Sequence, residues 1–177
     1  MAFETRLTPA MSARWRGAGL WSDETFATVL ARRVRETPDR EALTDGTRRL
    51  SYRELADGID RMAARLRALG VAAGDVVTIQ LPNWVEFAFV FFALERLGAV
   101  AVTVSVDFRS RELDYIMRFS GSKMLICCAR FRDFDHAAMA AELKPGLPAL
   151  VAIGVIRGDP RPGMTSLDDV VAARGPP

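Results

Sequence analysis

The sequence predicts an α/β fold, a mainly parallel sheet with helices on both faces. Three observations lead there. Apolar, strand-like runs begin near residues 76, 99, 124 and 150. Segments of helical period fill the gaps between them, the alternation that βαβ crossovers produce. The runs are apolar on both faces, as strands are when helices cover both sides of the sheet. The recurrence is architectural and has no residue-level solenoid repeat behind it.

Residues 1–21 carry Pro9, Gly17 and Gly19 with Trp15 and Trp21, and read as an irregular lead-in that the tryptophans pin over a core. Residues 22–177 read as one domain. Ser22-Asp23 opens a helix with Phe26, Val29, Leu30 and Val34 on its apolar positions, and Pro38 stops it. Residues 41–44 and 48–50 flank Asp45-Gly46, a hairpin-turn pair. Ser51 and Glu54 fit a capping box. Leu55, Ile59, Met62, Leu66 and Leu69 then form one helical stripe, closed by Gly70. Gly74-Asp75 turns the chain into the strand at residues 76–81, and Pro82 ends that strand.

Asn83 is a candidate N-cap for the next helix, with Glu86 at its third position. Residues 85–94 are apolar nearly all round, which predicts burial on most sides. A membrane span needs about 20 apolar residues, and Glu86 and Glu95-Arg96 bracket a shorter run here. Gly98 caps the helix and residues 99–104 form the next strand. Asp107 or Ser110 caps a helix bearing Leu113, Ile116 and Met117, which Ser120-Gly121 ends. Residues 123–128 are a third strand. Asp133 opens an alanine-rich helix that Pro145-Gly146 terminates, and residues 150–156 are a fourth strand. Residues 157–163 are a loop, and 165–173 a short helix.

The 177 residues are half apolar, so a real core is available and disorder by composition is excluded. Net charge is +2, and of 24 basic residues only Lys123 and Lys144 are lysine. The arginines lie scattered among acids, so no basic stripe for nucleic acid stands out. The N-terminus has no apolar signal core, and a cytoplasmic protein is expected.

Chemistry is sparse. No G-x-G-x-x-G follows a strand, and there is neither a G-x-x-x-x-G-K-[ST] loop nor a G-x-S-x-G elbow. An unrelated Rossmann-like cofactor binder would need the first of these. His136 stands alone, without metal-ligand spacing around it. Cys127-Cys128 sits in an apolar strand and reads as buried and structural. Lys144-Pro145-Gly146 reads as a helix stop, Asp168-Asp169 as helix-start acids, and Asp45 and Asp75 as turn residues beside glycine. On residue chemistry alone, no catalytic, cofactor-binding or metal-binding residue is assigned.

Four motifs then carry a resemblance. They are Tyr52-Arg53-Glu54-Leu55, Leu69-Gly70-Val71 leading to Gly74-Asp75, Leu81-Pro82-Asn83 leading to Glu86-Phe87, and Leu97-Gly98-Ala99-Val100. In this order and spacing they resemble the N-terminal region of the adenylate-forming (AMP-binding) acyl-CoA synthetases, over roughly residues 12–175. The leader from Arg14 to Trp21 and residues 131–150 look most like one branch of that family. That branch holds cyclohexanecarboxylate–CoA ligases, medium-chain fatty acyl–CoA ligases and dihydroxybenzoate-activating enzymes.

The resemblance implies a two-step reaction. A carboxylate attacks the α-phosphate of Mg·ATP to give an acyl-adenylate and pyrophosphate, and a thiol, usually coenzyme A, then displaces AMP. The family's phosphate loop, aromatic-Gly-Thr-Glu motif, ribose-binding Asp and C-terminal Lys all follow the matched region, and the sequence stops at Pro177 before them. The resemblance therefore implies an N-terminal subdomain that binds no cofactor by itself. It would need the C-terminal part of a synthetase in cis or in trans, and the carboxylic acid would meet only the complete enzyme. The competing expectation is a non-catalytic α/β interaction module, or one half of a split ligase.

Overall fold

The computed structural model describes residues 6–172. The architecture is α/β, as the alternation predicts. The central sheet has five parallel strands, β3 (Val76–Gln80), β4 (Val100–Thr103), β5 (Met124–Cys128), β8 (Ala152–Ile156) and β9 (Thr165–Ser166). They lie in the order β4-β3-β5-β8-β9. The helices are α1 (Pro9–Gly17), α2 (Phe26–Glu36), α3 (Tyr52–Ala68), α4 (Val85–Leu97), α5 (Ser110–Ser120), α6 (His136–Leu143) and α7 (Asp168–Ala172). Two short antiparallel hairpins complete the fold, β1 (Glu41–Thr44) with β2 (Arg49–Ser51), and β6 (Arg130–Phe131) with β7 (Phe134–Asp135).

Strand alternation divides the core into two layers. Val77, Ile79, Met124, Ile126 and Cys128 point to one face, where Ile59, Met62 and Leu66 of α3 and Phe89, Val90 and Leu94 of α4 bury them. Leu125, Cys127, Ile153 and Val155 point to the other, against Leu113 and Met117 of α5 and Met139 and Ala140 of α6. Helices therefore cover both faces, and β3, β5 and most of β8 are buried on both sides, with Thr78 and Gln80 the buried polar residues of β3. Gly58 allows α3 and α4 to approach, since a Cβ there would lie 2.4 Å from the Phe89 ring.

Several boundaries follow the expected chemistry. Ser51 accepts from the Glu54 N–H, and Glu54 accepts from the Ser51 N–H at 2.8 Å, so the capping box opens α3. Gly98 and Gly121 end α4 and α5 at φ 70° and 66°, where a Cβ would be strained.

Other boundaries differ, each for a local reason. The lead-in holds a helix, α1, capped by Thr8. It has no buried residue, and Trp21 is 43% exposed, so the tryptophans do not pin it over the core. α2 starts at Phe26, not at Ser22-Asp23, because Thr25 and Thr28 cap it reciprocally. Asn83 does not cap α4; the cap position is Trp84, with no side-chain bond. The carboxylate of Asp45, in the β1–β2 turn, instead accepts from the Val85 N–H at 3.3 Å. α5 starts at Ser110 from Arg109, with the Arg109 N–H donating to Glu112 at 3.1 Å. Asp135, not Asp133, caps α6, because residues 130–135 form the unforeseen β6–β7 hairpin. Residues 165–166 extend the sheet as β9 before α7 begins, where a helix from Thr165 was expected. The expected end of that helix, at Ala173, lies outside the described residues. No helix among the described residues is long and apolar enough to cross a membrane.

Candidate functional site

In a parallel sheet, ligands meet the carboxyl ends of the strands where neighbouring connections leave on opposite faces. Here that point lies between β3 and β5. The chain after β3 runs to α4 on one face, and the chain after β5 runs to α6 on the other. The β6–β7 hairpin folds across the divergence, and Phe131 meets Trp84 edge-on at 5.8 Å. A cavity of about 540 Å³ opens on one side, lined by Leu81, Asn83, Phe87, Val104, Ser105 and Arg132 among others. A second, of about 520 Å³, opens beside β8 between Arg130, Asp135, Gly158 and Arg161.

Beneath the crevice lies a network of charge. The Arg157 guanidinium, at the end of β8, donates to Asp45 at 2.8 Å and to Glu86 at 2.9 Å. It also lies over the Trp84 ring at 4.1 Å. Arg48 reaches Glu86 at 3.5 Å from the hairpin side. The side chains of Asp45 and Glu86 are 2% and 3% exposed, while Arg157 keeps 30%. Two buried carboxylates thus face two guanidiniums, a pairing that burial makes necessary. Burial alone would raise the Asp45 pKa. Hydrogen bonds from the Thr47 hydroxyl and from the Arg48, Thr47 and Val85 amides outweigh it and hold the carboxyl well below the usual range. Arg157 sits at φ 54°, a left-handed backbone unusual outside glycine. Asp168 fixes that turn, accepting from the Arg157 and Gly158 N–H groups at 2.7 and 3.1 Å.

On the opposite face, Gln80 at the end of β3 is fully buried. Its amide donates to the Ser105 and Phe108 carbonyls at 3.0 and 3.1 Å, and so holds the β4–α5 loop that walls the larger cavity. Its oxygen lies 3.4 Å from His136 Nδ1. His136 packs edge-on against Phe134, whose ring carries Arg109 at 3.9 Å. Burial and then the Arg109 charge push the His136 pKa down, which favours the neutral imidazole.

The residues singled out in the sequence therefore have varied fates. Cys127 and Cys128 are buried free thiols, as read, and burial raises both pKa values, Cys128 to about 11. Lys144–Gly146 is a 3₁₀ turn ending α6, as expected of a helix stop. Asp75 is a turn residue that also binds Lys123 at 2.6 Å, and that bond first of all lowers its pKa. Asp45 does bond its own turn, accepting from Thr47 and Arg48. It also joins two distant segments, at Val85 and Arg157, which no local spacing in the turn reports. Nothing in the sequence singles out Arg157, Trp84 or Gln80, and Glu86 is read there only as an early helix residue and part of a motif. Arg157 lies 112 positions from Asp45, and no local spacing reports such a pair. The described residues contain no group of three or more His, Cys, Asp or Glu placed to hold a metal. What the arrangement offers is a braced crevice wall.

Comparison with known proteins fits this geometry. Residues 30–174 match the family model described as AMP-binding enzyme. The salicyl-AMP ligase / salicyl-S-ArCP synthetase of Mycobacterium tuberculosis is 40% identical over 85% of this chain and 27% of its own length. The 2,3-dihydroxybenzoate-AMP ligase of Bacillus subtilis is 37% identical over 84% of this chain and 28% of its own. The apo structure of Mycobacterium smegmatis MbtA superposes with TM-score 0.83 at 35% identity, covering 96% of this chain and 31% of that one. The chain thus spans under a third of these relatives. The two ligases named for their acids are aryl-acid ligases, which is the dihydroxybenzoate side of the branch suggested by the leader, rather than its cyclohexanecarboxylate or fatty acyl side. This chain belongs to the AMP-binding enzyme family, as an N-terminal region of its adenylate-forming members.

Proposed function

We propose that the chain is the N-terminal subdomain of an ATP-dependent ligase that activates an aryl carboxylic acid as its adenylate and passes the acyl group to a thiol. The observation that supports this most is the 40% identity to a salicyl-AMP ligase across 85% of the chain, with the four motifs inside the aligned region. Coenzyme A or a carrier-protein thiol would be the acceptor, and Mg·ATP the cosubstrate, both held by parts that follow this region in the family. In this reading the chain forms no adenylate alone. It contributes one large sheet and one wall of the substrate cleft, works in the cytoplasm and binds no nucleic acid. Domain limits of 22–177, with 1–21 as the lead-in, belong to the same proposal.

The test is acid-dependent ATP–pyrophosphate exchange. The panel is salicylate, 2,3-dihydroxybenzoate, cyclohexanecarboxylate and octanoate. The 177-residue chain alone is expected to show none. A chimaera carrying it in place of the matching segment of the M. tuberculosis relative is expected to show exchange with the aryl acids. Exchange by the chain alone would overturn the subdomain reading. A chimaera that prefers cyclohexanecarboxylate or octanoate would overturn the substrate class.

A further inference from the structure

The β4–α5 loop, which walls the larger cavity, is held by two side chains. Gln80 Nε2 donates to the Ser105 and Phe108 carbonyls at 3.0 and 3.1 Å. Arg109 Nη1 donates to the Val106 and Phe108 carbonyls at 2.8 and 3.1 Å. Both anchors rest on the β6–β7 hairpin and the start of α6. The Arg109 guanidinium lies over the Phe134 ring at 3.9 Å, and Phe134 meets His136 edge-on at 4.9 Å. His136 Nδ1 in turn faces Gln80 Oε1 at 3.4 Å. The Gln80 nitrogen has both protons committed to the loop, so its oxygen faces His136 and can only accept. His136 Nδ1 must therefore carry the proton of the neutral ring.

A second proton on that ring would be poorly placed. His136 is buried, and it is the first residue of α6, at the positive end of the helix. Arg109 faces it across Phe134. Asp135 and Asp107 would attract the charge, but both are already engaged. Asp135 accepts from Arg130 and Arg161 at 3.1 and 2.8 Å, and Asp107 lies 3.8 Å from Arg132. Cys127, on β5 beneath α6, stays a neutral thiol. Burial and the Arg109 charge outweigh the two carboxylates. A charge on His136 would thus push against Arg109, the second anchor of the same loop.

We infer that His136 is the positioning residue of this wall: neutral, with its proton on Nδ1, it holds Gln80 in place and leaves Arg109 undisturbed, and protonation releases the β4–α5 loop. The sign follows from linkage. In the released form the ring regains the ordinary histidine pKa of about 6.5, whereas in the clamped form it binds a proton less readily. The clamp is therefore fully present above about pH 6.5 and weakens as the pH falls below it. The loop's behaviour concerns the chain itself. Its effect on substrate binding rests on the function proposed above.

The experiment is NMR on the 177-residue chain, whose one histidine is His136. Ring ¹⁵N shifts above neutral pH are expected to place the proton on Nδ1; a proton on Nε2 overturns the inference. Amide hydrogen exchange then reads the loop. The Asp107 and Phe108 N–H groups donate to the Ser105 hydroxyl and carbonyl, each at 3.1 Å. Their protection, corrected for intrinsic exchange, is expected to fall about three- to tenfold between about pH 7.5 and about pH 5.5, while that of Val100, at the far end of β4, holds. His136→Asn keeps a donor near the place of Nδ1 and takes up no proton, so its protection should stay high and level. His136→Phe keeps a ring without the donor, and its protection should be low throughout. Level protection in wild type, or an equal fall in wild type and His136→Asn, overturns the inference. In the chimaera, the KM for salicylate is expected to rise on acidification in wild type and stay level in His136→Asn; a KM that moves alike in both also counts against it. A chimaera inactive in pyrophosphate exchange would remove the proposed function and leave the loop result standing.

Discussion

Replacing Asp45 with alanine probes the charge network directly. Its carboxylate accepts from the Thr47 N–H and hydroxyl at 3.0 and 2.7 Å and from the Arg48 N–H at 2.9 Å. Its other oxygen accepts from Val85 and Arg157. Thr47 is exposed, and its donors can turn to water in the variant. Val85 is fully buried and cannot, so its N–H is stranded, at about 1–3 kcal/mol. Arg157 keeps Glu86 and some solvent, so its loss is held to about 1 kcal/mol. The sum is about 3 kcal/mol, which in a chain of this size lowers the melting temperature by about 6–12 °C. Urea denaturation at pH 7 gives the free energy, and Asp45→Asn, which keeps an acceptor, should fall between.

The same variant has a pH signature. The native Asp45 pKa is depressed, so the unfolded state binds more protons at low pH and stability rises with pH there. The contribution is fully present above the unfolded value of about 3.9 and disappears as pH falls below it toward the native value. Wild type should therefore lose its advantage over Asp45→Ala on acidification below about pH 4. An alanine variant within about 0.5 kcal/mol of wild type at pH 7, or a difference that does not shrink in acid, would refute the reasoning.

Two further outcomes follow from packing. Gly58→Ala gains about 1 kcal/mol of helix propensity. It also sets a Cβ 2.4–2.9 Å from three atoms of the Phe89 ring, which is 1% exposed and has no room to withdraw. Overpacking at about 1–3 kcal/mol should win, giving a lower urea midpoint; an unchanged or raised midpoint contradicts the tight α3–α4 crossing. Cys127 and Cys128 are fully buried with raised pKa values, Cys128 near 11. Native protein at pH 8 should leave an aromatic disulfide reagent unconsumed, while protein in urea should titrate both thiols; rapid labelling of the native state counts against a closed core.

The sequence by itself determined what depends on near neighbours. The Ser51–Glu54 cap, the stripe from Leu55 to Leu66, the glycine stops at Gly98 and Gly121, and the doubly apolar strands each follow from spacing within a turn or two of chain. Those elements give the parallel α/β class, and four short motifs in order give the family. Local rules failed where a distant group replaced a near one. Asn83 looked like the cap of α4, but Asp45 reached its first N–H from 40 positions away. Thr165 and Ser166 joined the sheet because β8 offered an edge. The crevice wall was decided in the same way. Arg157 gained its place only when β8, the β1–β2 turn and the start of α4 came together, because two buried carboxylates need a cation and nothing near them in the chain fully supplies one.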